Sequence, residues 1–292
     1  MKILVTGGSG QVGFELQRQL CLLGNILAPD RAQLDLANEE AVNTWLGQHQ
    51  PELIVNAAAY TAVDKAESEP ELAHRLNAAL PAQLADYCHK HQATLVHYSS
   101  DYVYPGAGNA PWEETSGTGP LSVYGRTKLE GDEAVAASGC RYLIFRTSWV
   151  YSAHGNNFMK TMLRLGRERE ALNVVADQVG APTPARLIAQ VTEYALRQGI
   201  DTGVYHLAPR ETTSWHGFSQ AIFHHALEAG ETLAITPEAV TGIPTSEYPT
   251  PAKRPLNSRL SLNKLERALG VTLPDWRSQL ALALTEYLDA RR

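Results

Sequence analysis

The stretch Lys2-Ile-Leu-Val-Thr6, followed by Gly7-Gly-Ser-Gly10-Gln-Val-Gly13, joins a short apolar run to a glycine-rich turn, and an amphipathic segment continues it to Leu23. We interpret the apolar run as a buried parallel strand and Gln11–Leu23 as a helix. A strand, a glycine turn and a helix in this order are the context that a dinucleotide-binding fingerprint requires.

Each glycine of the turn has a place in such a fingerprint. Gly7 permits the tight turn, Gly10 lets a pyrophosphate approach the backbone, and Gly13 allows the helix to pack closely on the strand. The N–H groups at the start of the helix, at Gln11 and Val12, would face the phosphates. The spacing is Gly-x-x-Gly-x-x-Gly rather than Gly-x-Gly-x-x-Gly, so on this motif alone a purely structural turn stays open.

The second candidate strand ends at two charged residues that bear on the choice of cofactor. Asp30 is placed to bind an adenosine ribose, as in NADH, whereas Arg31 could meet the 2′-phosphate of NADPH. The pair is therefore ambiguous between the two. Asp35 and Leu36 follow in the next loop, where an adenine could be held, although both aspartates could also be solvated turn residues.

A third candidate strand, Leu53–Asn56, runs into three alanines. Small side chains let a flat ring or a ribose lie against the backbone. We therefore expect cofactor contacts from the residues that follow this strand, namely Ala58, Ala59, Tyr60 and Thr61.

Tyr124 and Lys128 lie four residues apart in a segment with a helical pattern, so their side chains share one face of a helix. A free phenol titrates near pH ~10. A cation about 4 Å away in a partly screened site contributes about 4 kcal/mol, enough to lower the pKa of the phenol. Such a pair suits proton transfer to or from an alkoxide, although the spacing alone also fits an ordinary surface helix.

The order of the elements predicts an α/β fold, a doubly wound parallel sheet with a smaller α/β substrate lobe. Strands are expected at Lys2–Thr6, Ile26–Ala28, Leu53–Asn56, Thr94–Ser99, Tyr142–Arg146 and Gly203–Leu207, and helices at Gln11–Leu23, Glu39–His49, Glu71–His91, Val123–Ala137, Phe158–Arg167, Arg186–Arg197 and His216–Ala229. We assign residues 1–150 and 183–207 to a dinucleotide-binding domain, and residues 151–182 and 208–292 to a substrate domain.

Composition restricts the class of protein. The chain has 292 residues, 44% hydrophobic and 19% charged, with a net charge of −6, so we expect a folded protein that does not bind nucleic acid. An apolar run of membrane-spanning length and a signal peptide are both missing from the sequence. Cys21, Cys88 and Cys140 are widely spaced, as expected of thiols in a reducing compartment, and the histidines show no metal-ligand spacing. These features predict a cytoplasmic protein without a metal.

Four strings together resemble the extended short-chain dehydrogenase/reductase family: Thr6-Gly-Gly-Ser-Gly-Gln-Val-Gly13, Asn56-Ala-Ala-Ala59, Tyr98-Ser-Ser-Asp-Tyr-Val-Tyr104 and Tyr124-Gly-Arg-Thr-Lys128. Weaker support comes from Thr61–Glu71, Phe145–Tyr151, Gly155–Phe158 and Pro249–Pro255, so the resemblance runs to about residue 260. It implies an oxidoreductase that uses NADPH or NADH to reduce the 4-keto group of a dTDP-linked 6-deoxyhexulose, a precursor for cell-surface polysaccharide.

The resemblance also implies roles for individual residues. Ser100 would hydrogen-bond the reacting carbonyl and Tyr124 would donate the proton. Lys128 would hold the nicotinamide ribose and lower the pKa of Tyr124.

Substrate contacts follow from the same resemblance. Asp101 and Tyr102 would meet the deoxy-sugar, Trp149 would form a wall of its site, and Arg254 could grip the pyrophosphate. Tyr98 could contact the cofactor or simply pack in the core. Asn77 could serve a proton relay or bind helix backbone.

Other functions stay open at this point. A sugar-nucleotide epimerase or dehydratase could use the same fold, although Ser100 is followed by Asp101-Tyr102 rather than by the acidic pair of a dehydratase. A regulatory subunit that binds cofactor without catalysis is a third reading. Some relatives share a Mg²⁺ between carboxylates of two subunits, and Glu15 fits that pattern, but Arg186 stands where a second carboxylate is expected. We therefore expect a monomer or a weak homodimer without a bridging metal.

Overall fold

The computed structural model describes residues 1–291, and the first half of the chain alternates strands with helices. In chain order its elements are β1 (Lys2–Thr6), α1 (Gln11–Gln19), β2 (Asn25–Leu27), α2 (Glu39–His49), β3 (Leu53–Asn56), α3 (Val63–Ala66), α4 (Pro70–His74), a π-helical segment (Arg75–Ala79), α5 (Leu80–His91), β4 (Thr94–Ser100), α6 (Val123–Ala137) and β5 (Arg141–Thr147).

The second half mixes short strands with longer helices. Its elements are β6 (Val150–Tyr151), α7 (Phe158–Glu168), β7 (Leu172–Val175), β8 (Val179–Gly180), β9 (Thr183–Pro184), α8 (Ala185–Gln198), β10 (Gly203–His206), β11 (Thr213–Ser214), α9 (Trp215–Glu228), β12 (Val240–Ile243), α10 (Asn263–Leu269) and α11 (Trp276–Asp289).

Six strands form one parallel sheet in the order β10-β5-β4-β3-β1-β2. The chain leaves β1 towards β2 on one side and returns to β3 on the other, so the order of strands reverses at β1 and β3. A crevice opens beyond the carboxyl ends of the strands at such a point, and ligands bind there. The predicted doubly wound α/β fold is confirmed.

Two of the predicted helices differ from those in the structure by more than a single residue at an end. The helix expected over Glu71–His91 begins at Pro70 and is interrupted by the π-helical turn. Pro81 explains the interruption, because it has no N–H to donate to the carbonyl of Asn77, four residues before it. The helix expected to reach Leu23 ends at Gln19 and continues as a 3₁₀ turn over Leu20–Leu22.

Both faces of the sheet are covered by apolar clusters, and the smaller lobe has a third. On one face of the sheet, Ile3, Val5 and Leu16 pack with α8. On the other face, Leu4 and Ile54 pack with Leu84 of α5. The lobe core is built by α7, α9 and α11 around Phe218. Helix α10 contributes Leu265 to the core of the sheet rather than to the lobe, a departure from the predicted domain boundary.

Helix α6 lies unusually close to its neighbours. A Cβ on Gly125 would stand 2.3 Å from the Tyr102 carbonyl oxygen, and a Cβ on Gly131 would stand 2.1 Å from that of Asn77. Only glycine allows this approach, which places α6 against the turn after β4 at Gly125 and against the π-helical segment at Gly131.

A buried ion pair joins α6 to β5. Arg146 Nε donates to Asp132 Oδ2 at 2.9 Å, and both side chains are almost fully buried. Arg146 also donates to the Tyr104 hydroxyl at 2.8 Å, so several partners hold the guanidinium in place.

We expect the Asp132→Asn substitution to lower the free energy of unfolding by about 3 kcal/mol, because it leaves the Arg146 charge buried without its counterion. Urea unfolding at pH 7.5 measures the change. The matched control is Glu168→Gln, which breaks an exposed ion pair with Arg164 (60% and 52% exposed side chains) and should cost less than about 1 kcal/mol. Equal losses would contradict a structural role for the buried pair.

Candidate active site

A cleft of about 770 Å³ opens at the carboxyl ends of β1, β3, β4 and β5, between the sheet and the smaller lobe. It has a nucleotide end at the glycine turn and a second end at the Tyr124 helix. Most of the predicted residues line it: Gly7, Gly10, Gln11, Val12, Asp30, Arg31, Asp35, Leu36, Ala58, Ala59, Thr61, Tyr98, Ser100, Asp101, Tyr102, Tyr124, Lys128 and Trp149.

The glycine turn forms a cradle of backbone at the nucleotide end. Gly7 has a φ of +66°, and a Cβ there would lie 2.9 Å from the Ala58 N. Helix α1 begins immediately after Gly10, so the N–H groups of its first turn point towards the cleft. These features fit a pyrophosphate bound at a helix N-terminus, as in other dinucleotide sites.

Gly13 takes a different place from its neighbours in the turn. A Cβ on Gly13 would stand 2.1 Å from the Gly7 carbonyl oxygen, so this residue packs behind the turn and does not line the cleft. This is the place that the glycine-rich fingerprint predicts for Gly13, which allows the close approach of helix and strand.

Asp30 and Asp35 shape the loop that would receive the adenosine. Asp30 Oδ1 accepts from the backbone N–H groups of Ala32 and Gln33 at 2.9 Å, and Asp35 accepts from Ala37 N at 3.1 Å. Their carboxylates therefore also order the turn. The Arg31 side chain is 86% exposed at the rim of the cleft, where its Nε lies 3.9 Å from Asp35 Oδ1.

The smaller lobe holds the glycine turn from the other side, a feature that sequence reasoning missed. Asn157 donates to Gln11 Oε1 at 2.9 Å, and His154 stacks on Phe14 with ring centroids 4.2 Å apart. Gly155 and Asn156 line the cleft beside them. The Gly155-Asn-Asn string was the available signal, but the pattern alone did not place it over the turn.

Ser100, Asp101 and Tyr124 converge at the other end of the cleft. The Ser100 hydroxyl donates to Asp101 Oδ1 at 3.1 Å and also accepts from Tyr102 N. Burial raises the pKa of Tyr124 to about 12, and a hydrogen bond with Ser100 acts in the opposite direction. Burial likewise raises the pKa of Asp101 to about 6, against hydrogen bonds from Ser258 and Ser100.

Lys128 is buried beneath this group, with 1% of its surface exposed. Its Nζ donates to the Tyr98 carbonyl oxygen at 2.6 Å. Burial lowers the pKa of Lys128 to about 8, while the Asp132 carboxylate favours the charged form. The expected lowering of the Tyr124 pKa is corrected, because burial and the carboxylates of Asp101 and Asp132 raise it instead.

Two tryptophans form a wall of the cleft. Trp149 follows β5 with a φ of +49° and stacks on Trp215 of the smaller lobe, with ring centroids 3.8 Å apart. Trp215 in turn donates to Gln178 Oε1 at 3.1 Å. Trp215 was missed from the sequence, because a tryptophan at the start of a helix carries no pattern that points to a ligand.

Comparison with known proteins agrees with this geometry. Residues 1–289 match the family described as the RmlD substrate binding domain. The dTDP-4-dehydrorhamnose reductase of Salmonella typhimurium is 49% identical over 294 residues, covering 98% of each chain. The chain belongs to the dTDP-4-dehydrorhamnose reductase family.

Two solved structures of this family superpose closely. One from Clostridium acetobutylicum has a TM-score of 0.91 at 38% identity and covers 100% of this chain and 99% of its own. One from Bacillus anthracis, in complex with NADP, has a TM-score of 0.90 at 33% identity and covers 98% of this chain and 99% of its own.

Two further residues predicted for the reductase site do not line the cleft. The Tyr60 hydroxyl donates to Glu69 at 2.6 Å, so its side chain packs between helices. Arg254 binds both carboxylate oxygens of Asp64, at 3.0 and 2.7 Å, and these bonds occupy its guanidinium. Both side chains thus have partners outside the cleft, with Arg254 joining the C-terminal segment to α3, and their contacts with ligands stay predictions.

Asn77 and Tyr98 have partners that bear on the alternatives left open for them. Asn77 Oδ1 accepts from Tyr60 N at 2.8 Å and its Nδ2 donates to the Thr127 hydroxyl, so it binds backbone and α6. The Tyr98 hydroxyl is hydrogen-bonded to Thr192 at 2.7 Å within the core. These bonds accord with the packing alternative for Asn77, whereas Tyr98 also lines the cleft, and its contact with the cofactor stays a prediction.

Within residues 1–291, no group of three or more His, Cys, Asp and Glu side chains could hold a metal ion. In the same part of the chain, none of the helices combines the length and the apolar character that crossing a membrane requires.

Asp101 should make stability depend on pH. Its folded pKa lies above the ordinary value, so ionisation opposes folding, and this cost is absent near pH 4 and fully present above pH 6. Urea unfolding at pH 4.5 and at pH 7.5 measures how Asp101→Asn changes the free energy of unfolding. We expect this change to be about 2 kcal/mol more stabilising at pH 7.5 than at pH 4.5.

The control is Asp275→Asn. Asp275 caps α11 and its pKa is lowered by hydrogen bonds to Ser278, so its carboxylate stabilises the fold at neutral pH. Asp275→Asn should therefore not raise the free energy of unfolding, and its effect should be nearly the same at pH 4.5 and pH 7.5, because both lie above the ordinary pKa of an aspartate. An effect of Asp101→Asn that does not change between the two pH values would contradict a buried, ionised carboxylate.

Proposed function

We propose that this protein reduces the 4-keto group of dTDP-4-dehydro-L-rhamnose (dTDP-6-deoxy-L-lyxo-4-hexulose) to dTDP-L-rhamnose with NADPH or NADH, and that Tyr124 is the general acid. The observation that carries the proposal is the convergence of Ser100, Tyr124 and Lys128 at one end of a cleft whose other end is a helix N-terminus framed by glycines.

The cofactor, when bound, would supply the hydride that reduces the carbonyl carbon. Tyr124 would donate a proton to the carbonyl oxygen. A pKa of about 12 keeps this phenol protonated at neutral pH, as a general acid requires. Ser100 lies beside Tyr124 and would hydrogen-bond the same oxygen, which fixes the carbonyl between the two hydroxyls.

Lys128 would bind the nicotinamide ribose from beneath. Its stem lies under Tyr124 on the same helix face, and the Tyr98 carbonyl fixes the position of its Nζ. Lys128 is almost fully shielded from water, which strengthens its interaction with a developing charge. Positioning of this kind contributes much of the rate in a cofactor-dependent enzyme.

The sugar would lie between the catalytic group and the tryptophan wall. Trp149 and Trp215 offer flat surfaces that suit the apolar face of a deoxyhexose. Asp101 is buried next to Ser100 and can accept from a sugar hydroxyl, and Tyr102 packs edge-on against Tyr124 with ring centroids 5.4 Å apart.

The alternatives have less support. An epimerase keeps one cofactor and returns the hydride, and a dehydratase needs an acidic pair after the serine, where this chain has Asp101-Tyr102. A regulatory subunit has no need for Ser100, Tyr124 and Lys128 together.

We expect a monomer or a weak homodimer without a bridging metal, acting in the cytoplasm. Arg186 lies between two carboxylates, with Nη2 2.6 Å from Glu286 and Nε 3.9 Å from Glu15, and a cation there opposes a divalent metal. The thiols of Cys88 and Cys140 are free and buried, as expected of a reducing compartment.

The purified protein should oxidise one NADPH or NADH for each 4-keto sugar that it reduces. We expect Tyr124→Phe to lower kcat by at least about 10²-fold, because the general acid is lost, with little change in cofactor affinity. Lys128→Ala should lower both kcat and the affinity for the cofactor. Absorbance at the nicotinamide band, together with product analysis, measures these effects. Product formation without net cofactor oxidation would favour the epimerase instead.

Cofactor choice should depend on Arg31. We expect Arg31→Ala to weaken NADPH more than NADH, because only NADPH carries the 2′-phosphate that the guanidinium can meet. Titration of both cofactors by their fluorescence checks this, with Arg164→Ala as an exposed control away from the cleft. Equal losses for the two cofactors would show that Arg31 does not recognise the phosphate.

A further inference from the structure

A chain of buried side chains runs under the carboxyl edge of the sheet to Lys128. The Thr6 hydroxyl and Asn56 Oδ1 are 2.6 Å apart, Asn56 Nδ2 and His97 Nδ1 are 3.0 Å apart, and His97 Nε2 lies 3.4 Å from Lys128 Nζ. Thr6, Asn56 and His97 are each about 1% exposed. The roles given above to the catalytic residues do not use this chain.

We assign the His97 proton to one ring nitrogen from the donors and acceptors of this chain. Ala58 N donates to the Thr6 oxygen at 3.2 Å, and the Thr6 hydroxyl donates to Asn56 Oδ1. The amide nitrogen of Asn56 is therefore turned towards His97, and its N–H donates to Nδ1. A neutral imidazole that accepts at Nδ1 carries its proton at Nε2, the atom that faces Lys128.

His97 stays neutral in these surroundings. It is fully buried, and both burial and the nearby Lys128 ammonium hold its pKa well below the usual range. Lys128 thus meets an N–H group on one side, the Tyr98 carbonyl on another, and Tyr124 one helical turn before it. Asp132 lies one turn after Lys128, with Oδ1 3.9 Å from His97 Nε2, but Arg146 takes its other oxygen.

We infer that His97 is a positioning residue: its Nε2–H, oriented by Thr6 and Asn56, faces Lys128 Nζ and favours the neutral amine, which can accept from it while it donates to the Tyr98 carbonyl. An ammonium has three donors and cannot accept from an N–H group, whereas a neutral amine can. The same chain connects Lys128 to Ala58, which lines the nucleotide end of the cleft. Its effect on catalysis rests on the proposed function, because it acts through Lys128.

Two substitutions test the inference. His97→Asn removes the N–H group that faces Lys128. Thr6→Val removes the hydroxyl that orients Asn56, so the amide can turn and accept from Nδ1–H, which leaves a lone pair at Nε2 for the ammonium. Both should favour the charged lysine and raise the pKa of Lys128 by about one unit. The controls are His49→Asn and Thr183→Val, at positions away from Lys128.

Two measurements read the outcome. The first is the titration of ¹³Cε-labelled lysine by NMR in the free protein, with the Lys128 signal assigned from Lys128→Met. The second is the pH dependence of kcat at saturating NADPH, in which the alkaline limb should move up by the same amount in His97→Asn and Thr6→Val. Circular dichroism reports whether each variant folds, and if His97→Asn does not fold, Thr6→Val alone decides.

A Lys128 midpoint that stays within about 0.2 pH unit of the parent, or that falls, in the folded variants would overturn the inference. So would an equal shift in the two controls. If the parent protein showed no reductase activity, the proposed function would be overturned instead. The NMR titration would still decide the role of His97.

Discussion

The burial of one ammonium, that of Lys128, constrains most of the surrounding structure. Removing a charge from water costs several kcal/mol unless partners replace the solvent. Lys128 has a carbonyl at 2.6 Å and a carboxylate one helical turn away as its partners. That carboxylate, Asp132, is buried too and needs Arg146 as its own counterion. Each charge therefore requires the next, and β4, β5 and α6 are held in one arrangement by their side chains.

Close backbone packing is what makes this arrangement possible. The glycines of α6 bring the helix close to the turn after β4 and to the π-helical segment, because any side chain at Gly125 or Gly131 would collide with a carbonyl oxygen there. Gly13 likewise lets α1 approach the turn after β1, because a Cβ there would collide with the Gly7 carbonyl oxygen. The two ends of the cleft are thus built by the same means, a helix that approaches backbone more closely than a Cβ allows. A cofactor that spans the cleft would meet a rigid surface at both ends.

The sequence was most informative where local patterns decide the structure. The bounds of β1, β3, α2 and α6 were predicted correctly, because apolar runs and helical periods there end at glycine, proline or polar residues. It was less informative where tertiary contacts decide. The direction in which Tyr60 points depends on Glu69, and the partner of Arg254 lies 190 residues away along the chain. A motif fixes where a residue lies in sequence, but not which neighbour will occupy its side chain.

The pairing of Tyr124 with Lys128 shows why magnitudes matter in such predictions. The Coulomb contribution of about 4 kcal/mol assumes a partly screened site. Here both side chains are buried, so desolvation of the phenolate dominates and the pKa of Tyr124 rises to about 12. For a reductase a raised pKa of Tyr124 is an advantage, because the phenol must enter the reaction protonated. Since an alkoxide is far more basic than a phenolate, a raised pKa still allows proton transfer to the product oxygen. The buried environment that keeps Tyr124 protonated also lowers the pKa of Lys128 to about 8, so one desolvated site prepares the two groups for different roles.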